Sequence, residues 1–350
     1  MSKIKKKRFL SVCIGILIIT VGFTLSASAG QINLKFGHED NIYSHCQMQA
    51  EVFKKLVEKR SNGEIKVTIY PGGTLTASPE ELLEFLRSGA VDISLTATGN
   101  VSGFLDDLQF INLPFLFNSP EHLIVGLQSY PMKEIFKEFE EKNGAKVLGL
   151  SEDGTGTCIT SSRPIRSFAD MKGLKIRCMM NPIFVGMYKA FGAEPTPIDW
   201  SELYTSLQLG AVEAQDNAPY LSYAHKFFEV QNAVAMTYHY WSGFLFLVSG
   251  ATWNKLTPEQ KEIVETAAIE TCNLQIQWAH IKDQQTLEVL KKKGITVTYP
   301  DRKPFMEAAV AVREKYFKKY PHWRDWYEQI QMLDPETAKP EAGLPIEVGK

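Results

Sequence analysis

The stretch Gly173-Leu174-Lys175-Ile176-Arg177 reads as a short strand that ends on an arginine. Two blocks follow it: Phe191-Gly192-Ala193-Glu194-Pro195-Thr196-Pro197-Ile198, then Trp200-Ser201-Glu202-Leu203-Tyr204 running to Gly210. The second block continues into Ala211-Val212-Glu213-Ala214-Gln215-Asp216-Asn217. A guanidinium held at a strand end, with an amide about forty residues later, is what fixing a small carboxylate requires. The helix, glycine, Ala, Val, acid order at Gly210 also occurs earlier, where a helix ends at Gly89 and Ala90-Val91-Asp92 follows. Two similar α/β halves are expected, each built on a mainly parallel sheet. Ligands of such sheets sit beyond the carboxyl ends of the strands. His38, Thr96, Arg177 and Asn217 all fall at predicted strand ends, so they are expected to converge between two lobes.

The rest of the chain supports alternating elements. Asn33 to His38 is a strand with Leu34 and Phe36 on one face. A helix with Ala50, Phe53, Leu56 and Val57 at helical spacing stops at Ser61-Asn62-Gly63. Glu64 to Tyr70 alternates as a strand, and Pro71-Gly72-Gly73 turns the chain. Ser78-Pro79-Glu80-Glu81 predicts a helix start with a capping box. Thr257-Pro258-Glu259-Gln260 predicts a second one. From Glu259 to Lys293 there is no glycine or proline, which fits one helix of about 50 Å or two with a bend. Gly294 to Tyr299 is a strand, and a helix from about Lys303 to Tyr320 precedes a polar tail.

Composition bounds the partners. The chain has 350 residues, a net charge of -2 and 44% hydrophobic residues, which fits a globular protein of roughly two domains. The absence of a basic excess argues against nucleic acid. Lys3, Lys5, Lys6, Lys7 and Arg8, an apolar run from Phe9 to about Leu25, and Ala27-Ser28-Ala29 form a signal-peptide pattern with cleavage before Gly30. The rival reading, an uncleaved anchor, is weakened by Gly15, Thr20, Gly22 and Thr24 within the run. Cys13 follows Val12 and is a poor lipoprotein cysteine. The remaining Cys46, Cys158, Cys178 and Cys272 form no C-x-x-C; buried thiols are expected, although an oxidising compartment allows disulfides.

With these residues in place the chain resembles the substrate-binding proteins of tripartite ATP-independent periplasmic (TRAP) transporters, the DctP-like group. The matching stretches are Phe36-Gly37-His38, Ser61-Asn62-Gly63, Leu82-Leu83 to Gly89, Leu113-Pro114-Phe115, Arg163-Pro164-Ile165, Asp170 to Arg177, Gly192-Ala193, Pro195, and Ser201-Glu202-Leu203-Tyr204 to Gly210. The resemblance covers about residues 31 to 325. It implies a two-lobed periplasmic-binding-protein-like α/β fold with hinge strands and a long helix across both lobes. The expected division is a signal peptide at 1–29, lobe I at 30–153 plus about 243–282, lobe II at 154–242 plus about 283–310, and a C-terminal helix and tail at 311–350. It also implies a periplasmic monomer that delivers its ligand to a TRAP permease, with no catalytic residue and no cofactor.

The resemblance assigns carboxylate recognition to Arg177, helped by Asn217, and places His38, Ser78 and Thr96 on the first lobe's wall. Trp200 falls where the family has an aromatic before Ser-Glu, and His239 and Trp241 lie on the returning segment. One departure affects the ligand. Many family members carry an arginine where this chain has Gly154-Thr155-Gly156-Thr157-Cys158. A glycine there is expected to remove one donor and open volume. With Trp200, Trp241, Tyr220 and Met179 as wall, the expected ligand is a monocarboxylate with an aromatic or bulky apolar body; a sugar acid such as a uronate is the alternative.

Bland readings stand beside each assignment. Arg177 could pair with a surface acid, Asn217 could serve the turn before Pro219, and the tryptophans could be core. His38, Glu39, Asp40, His45 and Cys46 include metal-capable groups, but their spacing matches no zinc or calcium loop, so no metal is expected. Gly154-Thr155-Gly156 lacks the third glycine of a dinucleotide loop. A sensor that presents the same ligand to a signalling receptor fits the same sequence. An enzyme would need a nucleophile or acid/base pair near Arg177, and no motif supplies one.

Overall fold

The protein is described by a computed structural model that covers residues 31–337, apart from 77, 153, 155 and 242. The signal-peptide pattern and the last residues of the tail lie outside the described residues. The strands are β1 (Ile32–His38), β2 (Ile65–Tyr70), β3 (Ile93–Ala97), β4 (Ala145–Glu152), β5 (Cys158–Ser161), β6 (Lys175–Cys178), β7 (Glu194–Pro197), β8 (Ala214–Asn217), β9 (Ala233–Ala235), β10 (Gly243–Ser249) and β11 (Thr296–Thr298). They form two sheets, ordered β2-β1-β3-β10-β4 and β11-β9-β5-β8-β6-β7. Helices cover both, so the architecture is a two-lobed α/β fold.

The short repeat is the organising device of both lobes. In the first, β1 pairs in parallel with β2 and β3; in the second, β6 pairs in parallel with β7 and β8. Gly89 and Gly210 each end a helical turn at positive φ, +74° and +69°, which a side chain would resist. The acid that follows returns to the first strand in both cases. The Lys35 amide donates to Asp92 Oδ2 at 2.8 Å, and the Lys175 amide donates to Glu213 Oε2 at 3.3 Å. The backbone closes the same loops: Asp92 N to Lys35 O at 3.1 Å, Glu213 N to Lys175 O at 2.7 Å. The two halves therefore share a local mechanism, and their strand ends point at a common gap.

Each sheet is completed by a strand from the crossing segments. β10 is antiparallel to β3 and to β4 in the first sheet; β5 is antiparallel to β8 and to β9 in the second. The chain thus passes between sheets after β4 and again before β10. The long helix is a third connection. Pro258–Lys292 is one continuous helix of 35 residues, about 52 Å, begun by the predicted capping box: Thr257 N to Gln260 Oε1 at 3.0 Å and Gln260 N to Thr257 Oγ1 at 3.2 Å. It holds the end of β4 through Gln275, whose Oε1 accepts from the Glu152 amide at 2.9 Å. Near its other end, Asp283 Oδ1 accepts from the Tyr220 amide at 2.8 Å.

Three local expectations change. Ser78 caps its helix by accepting from Glu81 N at 3.3 Å, but the Glu81 carboxylate takes the Thr76 hydroxyl instead of closing a box. The tail begins with a further helix, His322–Gln331, rather than as polar coil. Its Trp323 is fully buried, stacks on Tyr316 and Tyr320, and donates Nε1 to Asp107 Oδ1 at 2.7 Å, so tertiary packing makes a helix that ten residues would not sustain alone. Gly156 leaves no open volume. Its φ is +110°, and a Cβ there would stand 2.9 Å from Tyr238 Cδ1 and 3.3 Å from Trp241. Among the described residues Cys46, Cys158, Cys178 and Cys272 are all buried and none is in a disulfide.

Candidate functional site

A cavity of about 20 Å³ lies between the lobes, lined by Glu39, Asp40, Ala97, Asn100 and Phe244 on one side and Arg177, Met179, Trp200, Asn217 and Leu221 on the other. Glu39 and Asp40 follow β1, Ala97 ends β3, Met179 follows β6, and Asn217 ends β8. The site is therefore at the carboxyl ends of the parallel strands. The cavity is smaller than an organic acid, so the lobes must part to admit one.

Arg177 is 3% exposed. Its Nε donates to the Ile198 carbonyl at 2.9 Å, and its guanidinium lies 5.7 Å from the centroid of Trp200. These two contacts fix the plane of the fork before any ligand arrives. Asn217 is held from the same sheet: its Nδ2 donates to Gln215 Oε1 at 2.5 Å, and its carbonyl accepts from Cys158 Sγ at 2.8 Å. Met179 reaches across to Gly99, where a Cβ would come within 2.8 Å of its Cε and 2.9 Å of Phe184 Cε2. Glycine at 99 is what lets the walls approach so closely.

The first lobe brings an acid to face this cation. Glu39 is half-buried, and its Oε1 accepts from Asn100 Nδ2 at 3.2 Å. Its Oε2 is shielded from solvent without a hydrogen-bond partner. Burial, with the charges of Asp40 and Asp199, pushes its carboxyl up to about 8 against the opposing pull of Arg177. Burial also pushes Asp40 up, but the surrounding imidazoles, His225 foremost, outweigh it and hold it well below the ordinary carboxylate range. The seam is closed by Asn41 Nδ2 to Ala224 O at 3.2 Å and Tyr220 OH to Tyr43 O at 2.5 Å.

Of the residues singled out from sequence, Arg177, Asn217, Trp200 and Met179 share the cavity. Tyr220 is not in its lining; it donates to the Tyr43 carbonyl and with Tyr43 lines a separate cavity of about 400 Å³. The others are placed elsewhere. His38 is buried against Gln47, its Nε2 3.1 Å from Gln47 Oε1, and burial lowers its pKa. Thr96 pairs with Ser94 at 2.8 Å. Ser78 donates to Glu80 Oε2 at 3.0 Å. His239 is in the second lobe's interior, with Nδ1 2.7 Å from Thr237 Oγ1 and Nε2 2.8 Å from Tyr188 OH. Trp241, 4% exposed, lines a separate hinge cavity of about 310 Å³ with Tyr238, Gln284 and Arg302. Glu39, Asn100, Leu221 and Phe244 were not foreseen. The strand-end rule that pointed to His38 extends one residue to Glu39, because His38 turns into the core and the next two side chains reach the gap.

Comparison with known proteins shows the family of the chain. Residues 36–320 match the family described as bacterial extracellular solute-binding protein, family 7. The chain is 30% identical over 310 residues to the 2,3-diketo-L-gulonate-binding periplasmic protein YiaO of Escherichia coli, covering 88% of this chain and 94% of that one. It is 31% identical over 294 residues to the sialic acid-binding periplasmic protein SiaP of Vibrio cholerae, covering 83% and 91%. A crystal structure of a TRAP periplasmic solute-binding protein from Sulfitobacter sp. NAS-14.1 with bound β-D-galacturonate superposes with a TM-score of 0.81 at 27% identity, covering 86% of this chain and all of that one. No helix among the described residues is long and apolar enough to cross a membrane.

Proposed function

The chain belongs to the bacterial extracellular solute-binding proteins of family 7, the receptors of TRAP transporters, and from that premise we propose that its ligand is a hydroxylated sugar acid held by Arg177. The protein is an extracytoplasmic receptor for small organic acids that works with a TRAP permease. Arg177 would take the ligand's carboxylate as a planar fork, with Asn217 beside it. Trp200 would remain behind the guanidinium, as it already is.

The observation that carries the choice of ligand is Glu39. An apolar body opposite Arg177 would leave the shielded Oε2 of Glu39 without a partner, which costs about 1–3 kcal/mol. A hydroxyl there would satisfy it, with Asn100 alongside. Of the expected aromatic and apolar wall, Trp200 and Met179 line the cavity, with Ala97, Leu221 and Phe244 beside them, and Trp241 and Tyr220 do not. The proteins YiaO and SiaP and the galacturonate complex all carry sugar acids in their descriptions, which supports the same reading.

A thermal-shift screen of uronates, aldonates and aromatic monocarboxylates tests it. A true ligand at a hundredfold excess over Kd should add about 2.7 kcal/mol of stability. Stabilisation confined to the aromatic acids would reject the sugar-acid reading.

A further inference from the structure

We propose that the hinge cavity around Arg302 is a second ligand site, which takes a small monocarboxylate with an aromatic or branched apolar body. It lies apart from the cleft, for none of its lining residues lines the cavity around Arg177. Four stretches of chain meet there. Asn118 precedes the helix Pro120–Leu127, and Tyr238 and Trp241 lie on the crossing into β10. Gln284 and Leu287 belong to the long helix, and Arg302 follows β11.

The cation is the first observation. Arg302 Nε donates to the Thr237 carbonyl at 3.2 Å and Nη2 to the Tyr238 carbonyl at 3.1 Å, which leaves Nη1 without a partner among the described residues. The guanidinium carbon lies 5.6 Å from the ring centroids of both Phe115 and Tyr238. Backbone carbonyls and aromatic faces thus fix its plane, as Ile198 and Trp200 fix that of Arg177. Burial lowers its pKa and only Tyr238 opposes this, so no described carboxylate offsets the charge. A half-buried guanidinium that is oriented, with a free donor and no acid beside it, is a place for an anion.

The backbone is the second observation. Tyr238 has a φ of +46°, a left-handed conformation that an aromatic residue rarely adopts. Arg302 holds it there by bonding its carbonyl. Such outliers persist where the surroundings fix them, and they cluster at ligand clamps.

Volume and lining set the class of ligand. About 310 Å³ is open here, in the same structure whose cleft leaves about 20 Å³. That is at the small end of ligand pockets, roughly 300–1,000 Å³, and suits an acid with one ring or a short branched chain. Tyr238, Trp241 and Leu287 supply an apolar wall. Arg302 is the single charged group of the lining, so the site suits one carboxylate rather than two. Asn118 and Gln284 add amides on the exposed side.

The test is calorimetric titration of the purified chain with benzoate, in the wild type and in Arg177→Ala. The second protein lacks the clamp of the cleft, so binding that survives there belongs to the hinge, and failure of the sugar-acid reading leaves this outcome unaffected. One equivalent of benzoate is expected to bind Arg177→Ala, and Arg302→Gln in that background should weaken it roughly tenfold or more. Gln284→Glu, an exposed position on the long helix, decides the matter even if Arg302→Gln fails to fold: a carboxylate in the lining should repel benzoate and weaken it by a similar factor. Benzoate binding that is abolished by Arg177→Ala alone, or left unchanged by both hinge substitutions, would overturn the proposal. So would inorganic phosphate competing as well as benzoate, because the apolar wall would then play no part.

Discussion

Arg177 and Trp200 form a pre-set pair: the guanidinium carbon lies 5.7 Å from the indole centroid, and the Ile198 carbonyl two residues before the ring holds Arg177 Nε at 2.9 Å. The fork is thus oriented by the chain itself. Arg177→Ala should weaken sugar-acid binding by roughly 30-fold or more, since losing one partner of a buried charge pair costs ~2–5 kcal/mol. Arg177→Lys should recover only part of this, because a point charge lacks the planar fork. Isothermal titration of both variants is the measurement, and near-wild-type affinity for the alanine variant would remove Arg177 from the site.

Glu39 gives a selectivity prediction. Glu39→Leu should cost about 1 kcal/mol, roughly fivefold, for a hydroxylated acid that reaches it, and much less for an acid with an apolar body. The ratio between the two ligand classes is the readout. An equal loss for both would mean that Glu39 supports the fold rather than reads the ligand.

Gly99 sets how closely the lobes meet. A valine there would drive its side chain into Met179 and Phe184 across the cleft. The expected result is weaker binding with little change in the thermal midpoint without ligand, because the clash arises mainly on closure. A variant that binds as tightly as wild type would show that the walls yield without cost.

The hinge carries a pH dependence. Burial raises the Glu152 carboxyl to about 7 despite His280, whose Nε2 lies 2.9 Å from Glu152 Oε2. Burial lowers His280, but the hydrogen bond and charge of Glu152 outweigh it and raise its pKa. Both folded values exceed the unfolded ones, so this pair's contribution is greatest below the ordinary carboxyl value, ~4.3, and is lost as pH rises through about 7 and beyond. Glu152→Gln should remove a decline on the order of 1–3 kcal/mol over that window. Thermal midpoints of the two proteins from pH 4.5 to 8 would show it, and parallel curves would refute it.

Much of the frame was legible because it is local. Gly89 and Gly210 announced the repeat, and Thr257 with Gln260 announced the long helix. Arg177 and Asn217 could be placed at strand ends by periodicity and turn chemistry. What remained hidden depends on distant partners. His225 meets Asp40 only after the fold closes, and Trp323 buries itself in a helix too short to signal its own presence. His38 illustrates the limit of strand-end reasoning: one residue of register separates a core histidine from the cleft acid beside it. Gly156 shows another limit, since the space a missing side chain leaves is visible only once Tyr238 and Trp241 are seen to fill it.

The exchange of strands between sheets has a consequence for the order in which the chain becomes stable. β3 lacks its antiparallel neighbour until β10 is made, so a fragment ending at Glu152 would present two sheet edges that the whole protein pairs. Such edges invite association with other chains. β10 ends at Ser249 of 350 residues, so the first sheet cannot finish until strands β5 to β9 of the second have already been made.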